Sequence, residues 1–304
     1  MLPQLIGSRT WRGDGPPVGS AFAMPVEPDR KAERLTEADR AEILSFLAVR
    51  PVHTVVMASY IADNGIESEL NRGSFYGYRG HGGELEGVAL IGHSTLVEAR
   101  TDMALRALAI KARSPEVPLH LIMSSGDAAA KFYAHLTEGL SEPRLVCRES
   151  LFEVAFPFAV RKTETELKAA TIDQLIPIAE AQAEIALMEC GVDPMTRDRE
   201  GFLKRVARRV EQGRIFSIYE EGKLIFKADI IAETEDTIYI EGIYVHPDRR
   251  GRGLGSDCLA ALTLKLLERV ENICLLSNVE FESAHRSYYR AGFRRTDECI
   301  TLFV

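Results

Sequence analysis

The sequence predicts a mixed α/β chain of the α+β kind, in which one layout of helices and strands occurs twice. Three observations carry this. A length of 304 residues suits about two domains. Strand–turn–strand units recur in both halves, and in the second half a strand runs into a glycine-rich turn followed at once by a helical pattern. A hydrophobic content of 46% is enough for two ordinary cores.

Residues 1–34 are rich in Gly, Pro and charge, with Gly13, Gly15, Pro16, Pro17, Pro25 and Pro28 interrupting any period, and are expected to form a flexible tail. No apolar run of roughly 7–15 residues follows the start, so a signal peptide is not expected, and Met24 is a second candidate initiator. A first domain is expected over 35–160 and a second over 161–304, joined near Lys162-Thr163-Glu164-Thr165-Glu166. Within them Gly73–Tyr78 parallels Gly213–Ile218, and Gly83–Ala89 parallels Gly222–Ala228, each reading as strand, turn, strand. Leu121–Ser124 followed by Ala130–Tyr133 echoes Leu275–Ser277 followed by the helix of Tyr288. Each half closes on a strand, around Leu151–Phe156 and Ile300–Val304. Repetition at this scale implies two domains of common ancestry.

The halves diverge at one place. The second carries Arg250-Gly251-Arg252-Gly253-Leu254-Gly255 between the strand ending Ile243-Tyr244-Val245 and a helix with Leu259, Leu262 and Leu266. Helix starts leave backbone N–H groups unpaired and partly positive, and glycines let an anion reach them without a Cβ in the way. A P-loop is excluded because no Lys-Ser or Lys-Thr follows the last glycine. A Rossmann turn is excluded because Ser256 stands where its third glycine belongs. The first half has Arg100-Thr101-Asp102-Met103-Ala104-Leu105 here, with no glycine and with a carboxylate that would repel phosphate, ahead of the helix Met103–Ala109. It is therefore expected to have lost anion binding, to pack against the second half and to wall a pocket between the two.

The order Arg-x-x-Gly-x-Gly, at Arg250, Gly253 and Gly255, resembles the acetyl-CoA loop of the GNAT superfamily of N-acetyltransferases. Downstream, Ala284, Tyr288, Gly292 and Phe293 match the spacing of that family's second motif, with Gly292 placed as a left-handed helix terminator. The motif's asparagine position falls on Phe281, the nearest asparagine is Asn278, and Ser287 replaces an apolar residue. From about residue 35 to 304 the chain resembles bacterial tandem GNAT proteins with a degenerate N-terminal repeat, and Met188–Pro194 and Lys227-Ala228-Asp229 look like signatures of that group. Mycothiol-forming acetyltransferases, another tandem GNAT group, are the nearest alternative with a named substrate.

The resemblance implies two GNAT-like domains in tandem, each a twisted, mostly antiparallel sheet flanked by helices. It implies direct transfer of an acetyl group from acetyl-CoA, as co-substrate, to a primary amine of a small molecule or peptide, with no metal. The cofactor-binding residues it implies are Ile243, Tyr244 and Val245 along the strand, Arg250, Gly251, Arg252, Gly253, Leu254 and Gly255 in the loop, and Asn278 and Tyr288 beyond. An amine of pKa near 10.4 is uncharged in only about one molecule in 10³ at pH 7, so a base is needed. Glu241 is the candidate, since strand alternation points it with Tyr239, Ile243 and Val245 unless a bulge intervenes; the alternative is a solvated or arginine-paired carboxylate. Tyr288 would protonate the departing thiolate, its spacing to Gly292 favouring it over Tyr289. Arg249, Arg250 and Arg252 suit phosphates. Glu184, Glu189 and Asp193 either recognise a cationic amine or are ordinary surface acids. Lys204, Arg205, Arg208 and Arg209 read as a solvated helix face.

A net charge of −8 argues against a nucleic-acid surface, and hence against an aminoacyl-tRNA-dependent transferase. No apolar run approaches the roughly 20 residues of a membrane span. Five cysteines without a C-x-x-C pair argue against zinc and disulfides and favour a cytoplasmic protein, monomer or homodimer. A non-catalytic CoA-binding sensor is the competing class; it would need the loop but neither Glu241 nor Tyr288.

Overall fold

The computed structural model describes residues 31–155 and 166–304. In the first half β1 (Glu33–Arg34) leads into α1 (Arg40–Leu47) and α2 (Pro51–Asn64), then β2 (Gly73–Arg79), β3 (Leu85–Gly92), β4 (Ser94–Ala99), α3 (Asp102–Ala112), β5 (Leu121–Ser125), α4 (Ala128–Thr137) and β6 (Leu145–Val154). The second half repeats the order as β7 (Lys168–Ala169), α5 (Leu175–Cys190), α6 (Pro194–Arg197), α7 (Arg199–Glu211), β8 (Ile215–Glu220), β9 (Lys223–Glu233), β10 (Thr237–Val245), α8 (Leu254–Leu266), β11 (Asn272–Asn278), α9 (Glu282–Arg290) and β12 (Arg294–Phe303). Only the one-turn α6 breaks the correspondence.

The strands form one twelve-stranded sheet, in the order β1-β2-β3-β4-β5-β12-β6-β11-β10-β9-β8-β7. Exchanging each strand of one half for its counterpart in the other reverses this order onto itself, so the sheet has a pseudo-twofold axis between β6 and β12. These two strands pair antiparallel from Arg294↔Glu153 to Phe303↔Leu145. Each lies beyond its partner toward the other half's sheet: β12 is also paired to β5, and β6 to β11. The expected layout of mostly antiparallel sheets flanked by helices is observed, with the addition that the last strands are exchanged across the middle. The boundary expected at 160/161 lies outside the described residues, as do residues 1–30 of the expected tail. Residues 33–34 depart from the tail reading: they pair with Gly77 and Tyr76, and Leu35 behind them is buried, so the fold starts before residue 35.

Two parallel pairs interrupt the antiparallel pattern. β4 pairs with β5 only over Ser94–Leu96, and β10 with β11 only over Thr237–Tyr239, although β10 runs on to Val245 and β11 to Asn278. Beyond those residues the strands part, and each half therefore contains a fork. On one face of the C-terminal fork Ile238, Ile240, Leu259, Leu262, Ile273, Tyr288 and Phe293 join in one apolar cluster with Phe152 of β6. On the other face, α5 and α7 cover β8 and β9, and Val55 of α2 packs with Tyr239, Leu151, Ala232 and Cys274. A first-half helix thus roofs second-half strands, tied there by Asp63 to Arg214 and by Asn64 to Arg208. Among the described residues no helix is long and apolar enough to cross a membrane.

Candidate active site

The fork between β10 and β11 opens toward the start of α8. The residue at the cap of that helix is Gly253, at φ +87° and without a side chain to accept a hydrogen bond, and Gly251 before it lies at φ +74°. The amides of the first turn, at Leu254, Gly255 and Ser256, precede the first intrahelical bond, Asp257 N to Gly253 O at 3.0 Å. A Cβ built on Gly251 or Gly253 meets nothing within 4 Å, so the space beside these two glycines is open. An L side chain at Gly253 would be strained at that φ and would fill the space. Gly255 has a different reason to be glycine: its Cβ would stand 3.0 Å from Val245 Cγ2, where helix meets strand. An open, positively polarised helix start of this kind fits a diphosphate.

The loop arginines divide. Arg252 is exposed and has no side-chain partner among the described residues. Arg249 is paired with Glu220. Arg250 folds back: its Nε donates to Val245 O at 2.8 Å, its guanidinium lies 5.9 Å from the Tyr244 ring, and Glu184 Oε1 is 3.5 Å from Nη2. Its position braces the strand–loop corner with its side chain half exposed, and Arg252 is the loop arginine without a side-chain partner among the described residues.

Tyr288 points inward from α9, its ring against Phe152 and Phe293, while Tyr289 is 53% exposed. Burial pushes the Tyr288 hydroxyl up to about 12, opposed by a hydrogen bond with Ser277 on β11 and reinforced by the charge of Glu189. Gly292 ends α9 at φ +97°, in the left-handed region its spacing implied. Asn278 ends β11, where its Oδ1 accepts from Glu280 N at 2.9 Å and its carbonyl contacts His285 Nε2 at 3.0 Å. It shapes the turn into α9 at the mouth of the fork.

Glu241 does not point with Ile243 and Val245. The register between β9 and β10 runs Glu241↔Asp229 and then Tyr244↔Lys227, so Gly242 and Ile243 together face one residue, Ala228. This bulge inverts the alternation. Ile243 and Val245 join Ile238 and Ile240 on the α8–α9 face, whereas Glu241 keeps company with Tyr239 on the opposite face, with Tyr244 toward the α5–α7 cluster. Tyr239 Oη donates to Glu241 Oε1 at 2.6 Å. Solvent reaches Glu241, yet protein crowds around it: desolvation raises its carboxyl above the usual range, against the Tyr239 bond.

Two further carboxylates share that surrounding. Glu149 of β6 is paired across from Asn278 and accepts from Thr301 Oγ1. Burial pushes it up to about 7, opposed by the Thr301 bond and helped by Glu241. Glu189, in the last turn of α5, is accessible by area but rises to about 8 through desolvation and then the charges of Glu241 and Glu149, with Lys227 opposing. Tyr60 of α2 faces the same region, raised by burial and by Glu241. Glu149 and Tyr60 are first-half residues that reasoning from local spacing missed, because only the exchanged strand and the roofing helix bring them here. Of the acids in and after α5, Glu189 alone joins the cleft; Glu184 turns to Arg250, and Asp193 caps α6 by accepting from Met195 N at 2.8 Å. The basic face of α7 is not simply solvated either: Arg208 bonds Asn64, and Arg209 Nη2 lies 3.8 Å from the buried Asp229.

The arrangement is a fork in the sheet with different chemistry on its two faces. One face offers open helix amides and a tyrosine; the other offers carboxylates; the unpaired strand edges of the fork lie between. Residues 211–295 match a family model described as the acetyltransferase (GNAT) domain. No curated protein matches the chain in sequence. Among solved structures, a GNAT-family acetyltransferase from Colwellia psychrerythraea is 13% identical, with TM-score 0.53 over 90% of this chain and 99% of its own. A tandem GNAT protein from the clavulanic acid biosynthesis pathway is 14% identical, with TM-score 0.56 over 90% and 98%. A GCN5-related N-acetyltransferase from Sphaerobacter thermophilus is 15% identical, with TM-score 0.52 over 90% and 95%. Identities this low show shared fold. The chain carries a GNAT acetyltransferase domain over residues 211–295, in a fold that along most of its length is that of GNAT proteins, a tandem GNAT among them.

Proposed function

We propose that the protein moves an acetyl group from acetyl-CoA to the primary amine of a small molecule or peptide, and that the second half's fork is where transfer occurs. The domain match brings acetyl-CoA-dependent transfer with it; the amine acceptor rests on the site. The single observation carrying the reading is the fork itself, with the uncapped start of α8 beside it on one face and Glu241 on the other.

In this reading the first-turn amides of α8 and Arg252 hold the diphosphate, and acetyl-CoA supplies the thioester. The edge of β10 from Ile243 to Val245 lines the pantetheine path, and its amides stabilise negative charge developing on the carbonyl oxygen. Glu241 takes a proton from the acceptor ammonium; the freed nitrogen bonds to the carbonyl carbon, and as the carbon–sulfur bond breaks Tyr288 gives its proton to the departing sulfur while the nitrogen loses its second proton to solvent, from which Tyr288 is reprotonated. Glu149 and Glu189 favour a cationic acceptor, and Tyr60 walls its side of the cleft. Burial pushes the thiols of Cys258 and Cys299 up to about 12, so neither of these two is poised as a covalent acceptor.

Thiol release from acetyl-CoA measured against a panel of small amines and peptide N-termini tests the proposal. Release with at least one amine, abolished by Gly253→Glu, is the expected result. Tight CoA binding with no release for any amine would instead assign the chain to non-catalytic CoA sensors.

A further inference from the structure

Lys227 and Asp229 have no part in the chemistry above, yet both side chains are wholly inaccessible to solvent. A buried ammonium is costly unless every N–H is satisfied. Lys227 Nζ meets that condition, donating to Gln182 Oε1 at 2.7 Å, Asp229 Oδ1 at 2.7 Å and Gly242 O at 2.8 Å. The third acceptor is the carbonyl of the bulge glycine. Gly242 holds φ +60°, and a Cβ there would meet Gln182 Oε1 at 2.5 Å and Lys227 Nζ at 2.8 Å. The first half supplies a comparison without the lysine: β4 pairs with β3 in unbroken register through Val88↔Glu98, with valine where Asp229 stands opposite Glu241. β4 ends one pair later, at Gly87↔Ala99, with no shift in register, so among the described pairs the bulge belongs to the half with the buried ammonium.

We propose that Lys227 is a positioning residue: by holding the Gly242 carbonyl it fixes the bulge that turns Glu241 to the acceptor face and Ile243 and Val245 to the thioester face. The inference rests on the transfer reading above, since positioning is measured through turnover, but its structural half stands alone. A catalytic group displaced by about 1 Å can lose on the order of 100-fold in rate, so the expected effect is large.

The test uses two variants of the full chain. Lys227→Met with Asp229→Asn removes the ammonium together with its buried counter-charge, and Gly242→Ala strains the bulge residue and crowds Gln182 and Lys227 while keeping both charged residues in the sequence. Each is assayed for kcat, for CoA affinity by calorimetry, and by crystal structure. The expected result is a kcat about 100-fold lower, CoA affinity within about threefold of wild type, and a β10 that pairs without the shift after Glu241. A kcat within about twofold of wild type in either folded variant overturns the proposal, as does a lowered kcat in the lysine variant with the bulge intact, which would make Lys227 a purely electrostatic residue. If the wild type acetylates no amine at all, the transfer reading fails, and the crystal structure of the lysine variant still decides: a retained bulge overturns the positioning claim and a lost bulge supports it.

Discussion

At the fork between β4 and β5, Glu98 stands two residues past the last parallel pair, and Arg50 Nη1 grips its carboxylate at 3.0 and 3.2 Å. At the fork between β10 and β11, Glu241 stands at the same place and takes a hydrogen bond from Tyr239. The helix starts differ in the same sense. Thr101 accepts from Ala104 N at 3.2 Å and donates to Glu86, closing the start of α3, and Asp102 adds a negative charge to the first turn. Gly253 leaves the start of α8 open. One backbone plan, repeated, supports two different forks, and what distinguishes them is a cap residue, a partner for one carboxylate and the bulge at Gly242. The difference between the forks thus lies in a few local residues on a shared sheet plan.

The largest effect is expected from sealing the open helix. Gly253→Glu places a carboxylate against the diphosphate and strains the left-handed backbone; like charges so placed cost several kcal/mol, and acetyl-CoA affinity measured by calorimetry falls about 10³-fold or more. Next, Glu241→Gln lowers kcat about 10²-fold with acetyl-CoA affinity unchanged, whereas Glu98→Gln leaves turnover as it was and lowers stability by exposing Arg50 to the loss of its partner. Tyr288→Phe has a smaller effect, about 10-fold in kcat, because a thiol of pKa near 8.5 departs reasonably well without full protonation.

The carboxylates of the cleft set a pH signature in stability. Folding raises Glu149 to about 7 and Glu189 to about 8, so the folded state holds these protons more tightly than the unfolded chain does. Their contribution to stability is present below the ordinary glutamate range and lost as pH rises through those values. Chemical denaturation should accordingly show a Glu149→Gln/Glu189→Gln variant gaining about 1–2 kcal/mol over wild type at pH 9, after allowance for the solvent around Glu189, and nothing at pH 4. The smallest effect belongs to the first half's fork: Thr101→Ala removes a cap and costs about 1 kcal/mol of stability, with acetyl-CoA affinity and turnover unaltered.

Much of this was legible in the sequence because the signals are local. Gly251, Gly253 and Gly255 mark a strand-to-helix turn by spacing alone, the repeat shows as recurring strand–turn–strand units, and Gly292 fixes which tyrosine of α9 faces inward. The exchange of β6 and β12 was not legible: both read correctly as strands, but their pairing joins residues far apart in the chain, and period-2 alternation carries no information on the neighbour. Glu149 and Tyr60 were hidden for the same reason. The bulge was half visible. A glycine inside β10 is a known mark of irregular pairing, but its consequence, that Glu241 faces away from Ile243 and Val245, depended on the carbonyl Lys227 holds. Arg250 shows a contact that spacing does not reveal: its Nε donates to the main chain of Val245 while its side chain stays half exposed.

The central claim is that the second half's fork, and only that fork, receives the acyl carrier. Isothermal titration of the purified full chain with acetyl-CoA tests it most directly. The expected isotherm has a stoichiometry of one molecule per chain, unchanged by Thr101→Ala and lost in Gly253→Glu. No binding to the wild type, a second molecule bound per chain, or undiminished binding by the Gly253 variant would contradict it.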